Sequence, residues 1–168
     1  LLVVVAIIGI LAAVGTVAYS GYTSAAKKSV IKNNHATINK FIVAELTMCS
    51  VDLDNKILKM NDGSSLDCYD VYGDLSTDTV TRHMVNYVRE NYKNVFNNNS
   101  IVANMGWMHN NPCNAHGTEE SNNQEEGTHT LGVSNYDGQS PTFRIDTCFE
   151  VMAYGENTQL RNATVLDD

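Results

Sequence analysis

No charged residue precedes Lys27, and the stretch Leu1 to Ala18, LLVVVAIIGILAAVGTVA, is apolar apart from glycine and one threonine. At about 18 residues it reaches the length of a membrane-spanning helix. Beyond it, Ser24 to Met48 contains neither Pro nor Gly, and its apolar residues Val30, Ile31, Ile38, Phe41, Ile42 and Leu46 form a helical stripe, interrupted at Asn34 and His35. One continuous helix from Leu1 to about Met48 would be about 70 Å long. A compact domain of 168 residues cannot bury such a rod. Its front half must project, and its apolar surface must be covered by membrane or by other copies of itself. A cleaved secretory signal peptide is the simplest competing reading, with Val17-Ala18-Tyr19-Ser20 as a cleavage neighbourhood. No basic segment precedes the run, however, and the helical pattern does not stop there.

The length suits one domain, divided into an apolar half-helix (1–26) and a single head (27–168). A net charge of −8 argues against direct nucleic-acid binding, which needs clustered Lys and Arg, and suits an outward-facing soluble surface. Within the head, 27–49 reads as an amphipathic half-helix and 50–100 as a connecting segment with a second helix. Asn61-Asp62-Gly63 and Tyr72-Gly73-Asp74 mark turns there. Asp78 and Thr79 are candidate caps for that helix, whose apolar positions Val80, Met84, Tyr87, Val88, Tyr92 and Val95 continue until Asn97-Asn98-Asn99. Residues 101–168 read as sheet and C-terminal region. Thr130 to Ser134 and Thr142 to Met152 form a hairpin around Tyr136-Asp137-Gly138-Gln139, Ile101 to Met105 is a candidate further strand, and 110–127 is an exposed loop. The class is therefore α+β.

The residues Leu1 to Val14, LLVVVAIIGILAAV, followed by Tyr19 and Tyr22, resemble the N-terminal helix of bacterial type IV pilins, of the type IVa-like major kind, and of the related pseudopilins of type II secretion. Mature members begin, once prepilin peptidase has removed a leader, with an N-methylated Phe, then Thr-Leu-Ile-Glu, and then such a Leu-rich run. The resemblance thus implies that Leu1 is an internal residue of the mature protein and that the Phe and Glu lie upstream of it. It implies a pilin fold, with a long helix over about 1–48 packed on a C-terminal antiparallel sheet and a disulfide-bounded terminal region. It also implies a homopolymeric filament whose core is built by Leu1, Leu2, Val5, Ile8, Gly9, Leu11, Ala12 and Gly15, with Ala6 and Ala13 among the small residues that let helices approach. Prepilin peptidase, the pilus assembly machinery and the inner membrane before assembly are the implied partners. The filament would then stand on the cell surface, serving adhesion, twitching motility, DNA uptake or phage reception. A pseudopilin, or a membrane-anchored secreted binding domain, is the alternative. Family members carry a helix-breaking Pro near the position of Val17. None stands here, so the local extension seen in family filaments is expected around Gly9 to Val17 through the weakness of Gly9 and Gly15.

Four cysteines in a chain with a membrane-type segment favour an oxidising compartment and two disulfides. Three pairings are open. The favoured one joins Cys49 to Cys68, tying the end of the long helix to the connecting segment, and Cys113 to Cys148, enclosing a region like the family's. Lys27, Lys28 and Lys32 form a basic cluster suited to a solvated helix turn, a subunit contact or lipid headgroups. His109, Cys113 and His116 have ligand-like spacing, but no further pair completes a zinc set. Asp52 and Asp54, and Glu119, Glu120, Glu125 and Glu126, are acidic groups of the kind that hold calcium, without an EF-hand loop. Asn98-Asn99-Ser100 and Asn162-Ala163-Thr164 match glycosylation acceptors. No hydrolase, metalloprotease, P-loop or dinucleotide motif is present, so no enzymatic activity, cofactor or metal is expected. Trp107, Tyr87, Tyr92 and Tyr136 read as core.

Overall fold

A computed structural model describes residues 2–72, 77–96, 102–105, 127–134, 142–150 and 158–165. Helix α1 runs from Leu2 to Val51 as one 50-residue rod. It is continuous through Gly9 and Gly15, so the extension expected around Gly9 to Val17 is not seen in the single chain. In its second half one face is buried by Ile31, His35, Ile38, Ile42, Leu46 and Cys49, spaced three or four residues apart. His35 therefore belongs to the stripe it was expected to interrupt, while Val30 and Phe41 lie at the exposed margin. Phe41 is still used, stacking on Tyr87 with ring centroids 5.3 Å apart.

The connecting segment is tighter than a loop. Two short strands, β1 (Lys56–Ile57) and β2 (Leu66–Asp67), pair antiparallel around a turn in which the Met60 N–H donates to Ser64 O and the Gly63 N–H to Met60 O. Gly63 adopts φ +85°, which its missing side chain permits. Leu58 also has a positive φ, 50°, although its side chain is buried. Its N–H donates to Glu45 Oε2 (2.9 Å) and its carbonyl accepts from His83 Nε2 (2.9 Å). The strained residue is thus clamped between α1 and the next long helix. Helix α2 (Cys68–Tyr72) follows, fastened to α1 by the Cys49–Cys68 disulfide with its Cα atoms 5.0 Å apart.

Helix α3 spans Thr77–Asn91, with Asp78 in its first turn and Arg89 in its last, both favourable to the helix dipole. Asp78 lies inside the helix rather than before it and pairs with Arg82 one turn on. Val80, Met84, Val85 and Val88 form the buried face. The helix ends before the expected Asn97 because asparagine side chains compete for the backbone. Asn91 Nδ2 donates to Tyr87 O, and Asn94 Oδ1 accepts the Phe96 N–H in a local turn.

Strands β3 (Ala103–Met105), β4 (His129–Ser134), β5 (Thr142–Glu150) and β6 (Thr158–Val165) form one sheet in that order. The β4–β5 and β5–β6 pairs are antiparallel, but β3 joins β4 in parallel, which corrects the all-antiparallel expectation. Leu131, Phe143 and Ile145 lie on the inner face and pack with the buried faces of α1 and α3 into a single core. Alternation along β5 turns Arg144 and Asp146 to the other face, where they form an ion pair. The expected turn at Tyr136 to Gln139 and the loop 110–127, up to Gly127, lie outside the described residues.

Candidate functional site

Among the described residues, two features flank the point where α1 leaves the head. On the projecting side, none of the apolar 18-residue window is buried. Val5, Ile8 and Leu11 are at least 60 % exposed, and Tyr19 and Tyr22 exceed 70 %. Burying each large aliphatic side chain is worth about 1.5–3 kcal/mol, so a rod of this kind stays bare in water only at great cost. Gly9 and Gly15 face open space, with nothing within 4 Å of where a Cβ would stand. Ala6, Gly9 and Ala13 follow one another at three- and four-residue spacing, so one side of the rod is shallow enough for a second helix to approach closely. Leu2, Val5, Ile8, Gly9, Leu11, Ala12 and Gly15 all lie on this exposed half. Leu1 lies outside the described residues.

At the base of the head, three groups from three elements meet. His35 of α1 and His129 of β4 each place Nδ1 2.7 Å from Thr147 Oγ1 of β5. A hydroxyl carries one proton, so it donates to one ring and accepts from the other: one ring presents Nδ1–H and the other a bare Nδ1. His35 Nε2 is buried with no hydrogen-bond partner among the described residues. A bare lone pair is cheaper to bury than a bare N–H. His35 therefore carries its proton on Nδ1 and donates to Thr147, and Thr147 donates to His129. Burial, reinforced by the nearby His35, pushes the pKa of His129 down to about 3. Gly127 closes the site from the side at φ +87°, with Asn94 Oδ1 2.9 Å and Ile31 Cδ1 3.3 Å from where a Cβ would sit.

Just below, Lys27 holds its ammonium 5.5 Å from the centroid of the Phe96 ring. Lys28 is half-buried and Lys32 exposed. Of the other sequence candidates, Tyr87 and Tyr92 pack at the edge of the core, and burial raises the pKa of both phenols. Asp52 Oδ1 accepts the Asp54 N–H in a turn. Among the described residues no three His, Cys, Asp or Glu side chains gather as a metal set. Cys148 is buried and disulfide-bonded. Cys113, His109, His116, Trp107, Tyr136, Asn98 to Ser100 and the four loop glutamates lie outside the described residues. The histidine seam was missed from the sequence, although two signals pointed to it. His35 sits four residues after Ile31 and three before Ile38, and His129 alternates with Leu131.

No protein-family model matches the chain, and no curated protein and no solved structure matches it.

Proposed function

We propose that this chain is a structural subunit that polymerises, through the bare half of α1, into an extracellular filament of the type IV pilus kind. The observation that carries the reading is a 50-residue helix with one half built into a head and the other apolar and wholly uncovered. Such a rod has two compatible environments, the bilayer before assembly and a bundle of identical helices afterwards. The hydrophobic term is similar in both, so close packing has to favour the bundle, and the small residues Ala6, Gly9 and Ala13 supply the shallow contact surface. The head would face outward, with the Cys49–Cys68 disulfide fastening the end of α1 against mechanical load. Function on this reading is association rather than catalysis, and the inner membrane, prepilin peptidase and an assembly machine are the partners it requires.

The test is electron microscopy of filaments sheared from cells making the protein, with mass spectrometry of their subunit. Surface filaments built from this chain are expected. Short filaments retained in the envelope would favour the pseudopilin alternative, and detergent-soluble monomers without filaments would favour a membrane-anchored domain. If the chain is missing from both kinds of filament, the polymer reading fails.

A further inference from the structure

The charge along α1 is segregated. Between Leu1 and Glu45 stand four lysines, Lys27, Lys28, Lys32 and Lys40, and no acidic residue, in a chain whose net charge is −8. Three of the four fall within two turns at the junction between rod and head. From Leu2 to Tyr22 the exposed segment measures at least about 30 Å, long and apolar enough to cross a bilayer's hydrocarbon core. Tyr19 and Tyr22, more than 70 % exposed, stand at its end, where amphipathic aromatic rings settle at a membrane interface. Lys27 follows about 7.5 Å further along the axis and Lys32 about 15 Å, the depth of a headgroup layer. Lys27 and Lys28 precede the buried Ile31 by four and three residues, so they lie on the side of the helix that the head covers, on the head's underside.

We propose that Lys27, Lys28 and Lys32 form a collar that docks the base of the head onto the phosphates of an anionic lipid surface. This rests on the reading that the first half of α1 enters a bilayer before assembly. The cation–π contact with Phe96 holds the Lys27 ammonium at the underside of the head while leaving N–H donors for a phosphate oxygen. Lys28 and Lys32 each make a further contact within the chain. With three donors apiece, they can keep that contact and still donate to a phosphate oxygen. The acidic remainder of the head is repelled by the same surface, so the collar fixes orientation as well as depth. The occupant is lipid rather than a second copy because the lysines come directly after the aromatic pair that ends an apolar segment long enough to cross a bilayer.

The full chain, reconstituted into vesicles of equal phosphatidylcholine and phosphatidylglycerol and released for native mass spectrometry, is expected to retain phosphatidylglycerol in preference. Replacing Lys27, Lys28 and Lys32 by Gln should reduce that preference by about fivefold per lysine, and added salt should weaken it. Alkaline-resistant insertion should remain unchanged in the triple variant. Equal retention of both lipids by the wild type, or an unaltered preference in the triple variant, overturns the collar while leaving insertion intact. Unaltered lipid preference with loss of self-association assigns the lysines to a contact between copies instead. Failure of the wild-type chain to insert at all overturns the membrane reading and the collar with it.

Discussion

His35 and His129, from a helix and a strand 94 positions apart, share the single hydroxyl of Thr147, each with Nδ1 2.7 Å from its oxygen. The bond pair seats α1 on the sheet at the point where the helix leaves the head. Protonating both rings would break it, because two imidazoliums would both have to donate to Thr147 and would repel each other at close range.

Acid should therefore loosen the head. His129 titrates near 3 when folded and near 6.5 when unfolded. Above pH 6.5 neither state binds the proton, and its contribution to stability is complete. As pH falls below 6.5 the unfolded chain takes up a proton that the folded chain refuses. Stability then declines by up to about 1.4 kcal/mol per pH unit until pH 3 is approached. Between pH 6.5 and 5 the loss from this residue is about 2 kcal/mol. Urea denaturation across that range should show it, and His129→Asn should start less stable but follow a flatter slope. An unchanged slope in the variant would assign the acid sensitivity to other groups.

Gly127→Ala should destabilise the head by about 2 kcal/mol or more. Part of this is the cost of a side chain at positive φ, and part is displacement of Asn94, whose Oδ1 already lies 2.9 Å from the new methyl position. Thermal denaturation gives the measurement, with Gly63→Ala as the comparison. Gly63 shares the backbone strain but meets open space, so it should lose only the strain component.

Most of α1 was legible because its signals are local: an uncharged apolar run, then a three-and-four spacing without Pro or Gly. The burial of His35 was not legible, since a histidine on an apolar stripe is read as polar until its partner is known, and the partner lies on β5. Strand β6 was not distinguished within the C-terminal region, because Thr-Gln-Leu-Arg-Asn-Ala-Thr-Val has few apolar residues and depends on β5 for its ladder. The parallel pairing of β3 was equally hidden, since direction is a property of the connection rather than of a three-residue strand. The bare half of the helix shows the opposite behaviour. It was visible in the sequence because it depends on nothing else in the chain.

Removing the Cys49–Cys68 disulfide by a Cys49→Ala, Cys68→Ala double substitution should cost about 2–3 kcal/mol, given a sequence separation of 19. Substitution isolates this bond better than a reductant does, because Cys148 is also disulfide-bonded. The loss should be concentrated in the segment the bond encloses. Hydrogen exchange should rise at Leu58, whose N–H is held by Glu45, and at position 68, whose N–H donates to Asn55 O, before it rises at Ile145 in the sheet.

Ile8→Lys separates the two halves of the molecule most cleanly. Ile8 is 60 % exposed and belongs to a segment that the head never touches, so the melting temperature of the head should not change. In a bilayer the substitution costs about 3 kcal/mol at the helix centre. In a bundle of identical helices it would bury one unpaired charge per subunit, which is costlier still. On the proposed function, insertion should weaken and filaments should vanish while the head stays folded. Thr37→Lys supplies the control, because Thr37 is exposed on the head-bearing half of the same helix and should change neither property. Wild-type filament yield from Ile8→Lys would mean that the bare half is not the surface through which copies associate. A lowered melting temperature would mean instead that this half supports the head.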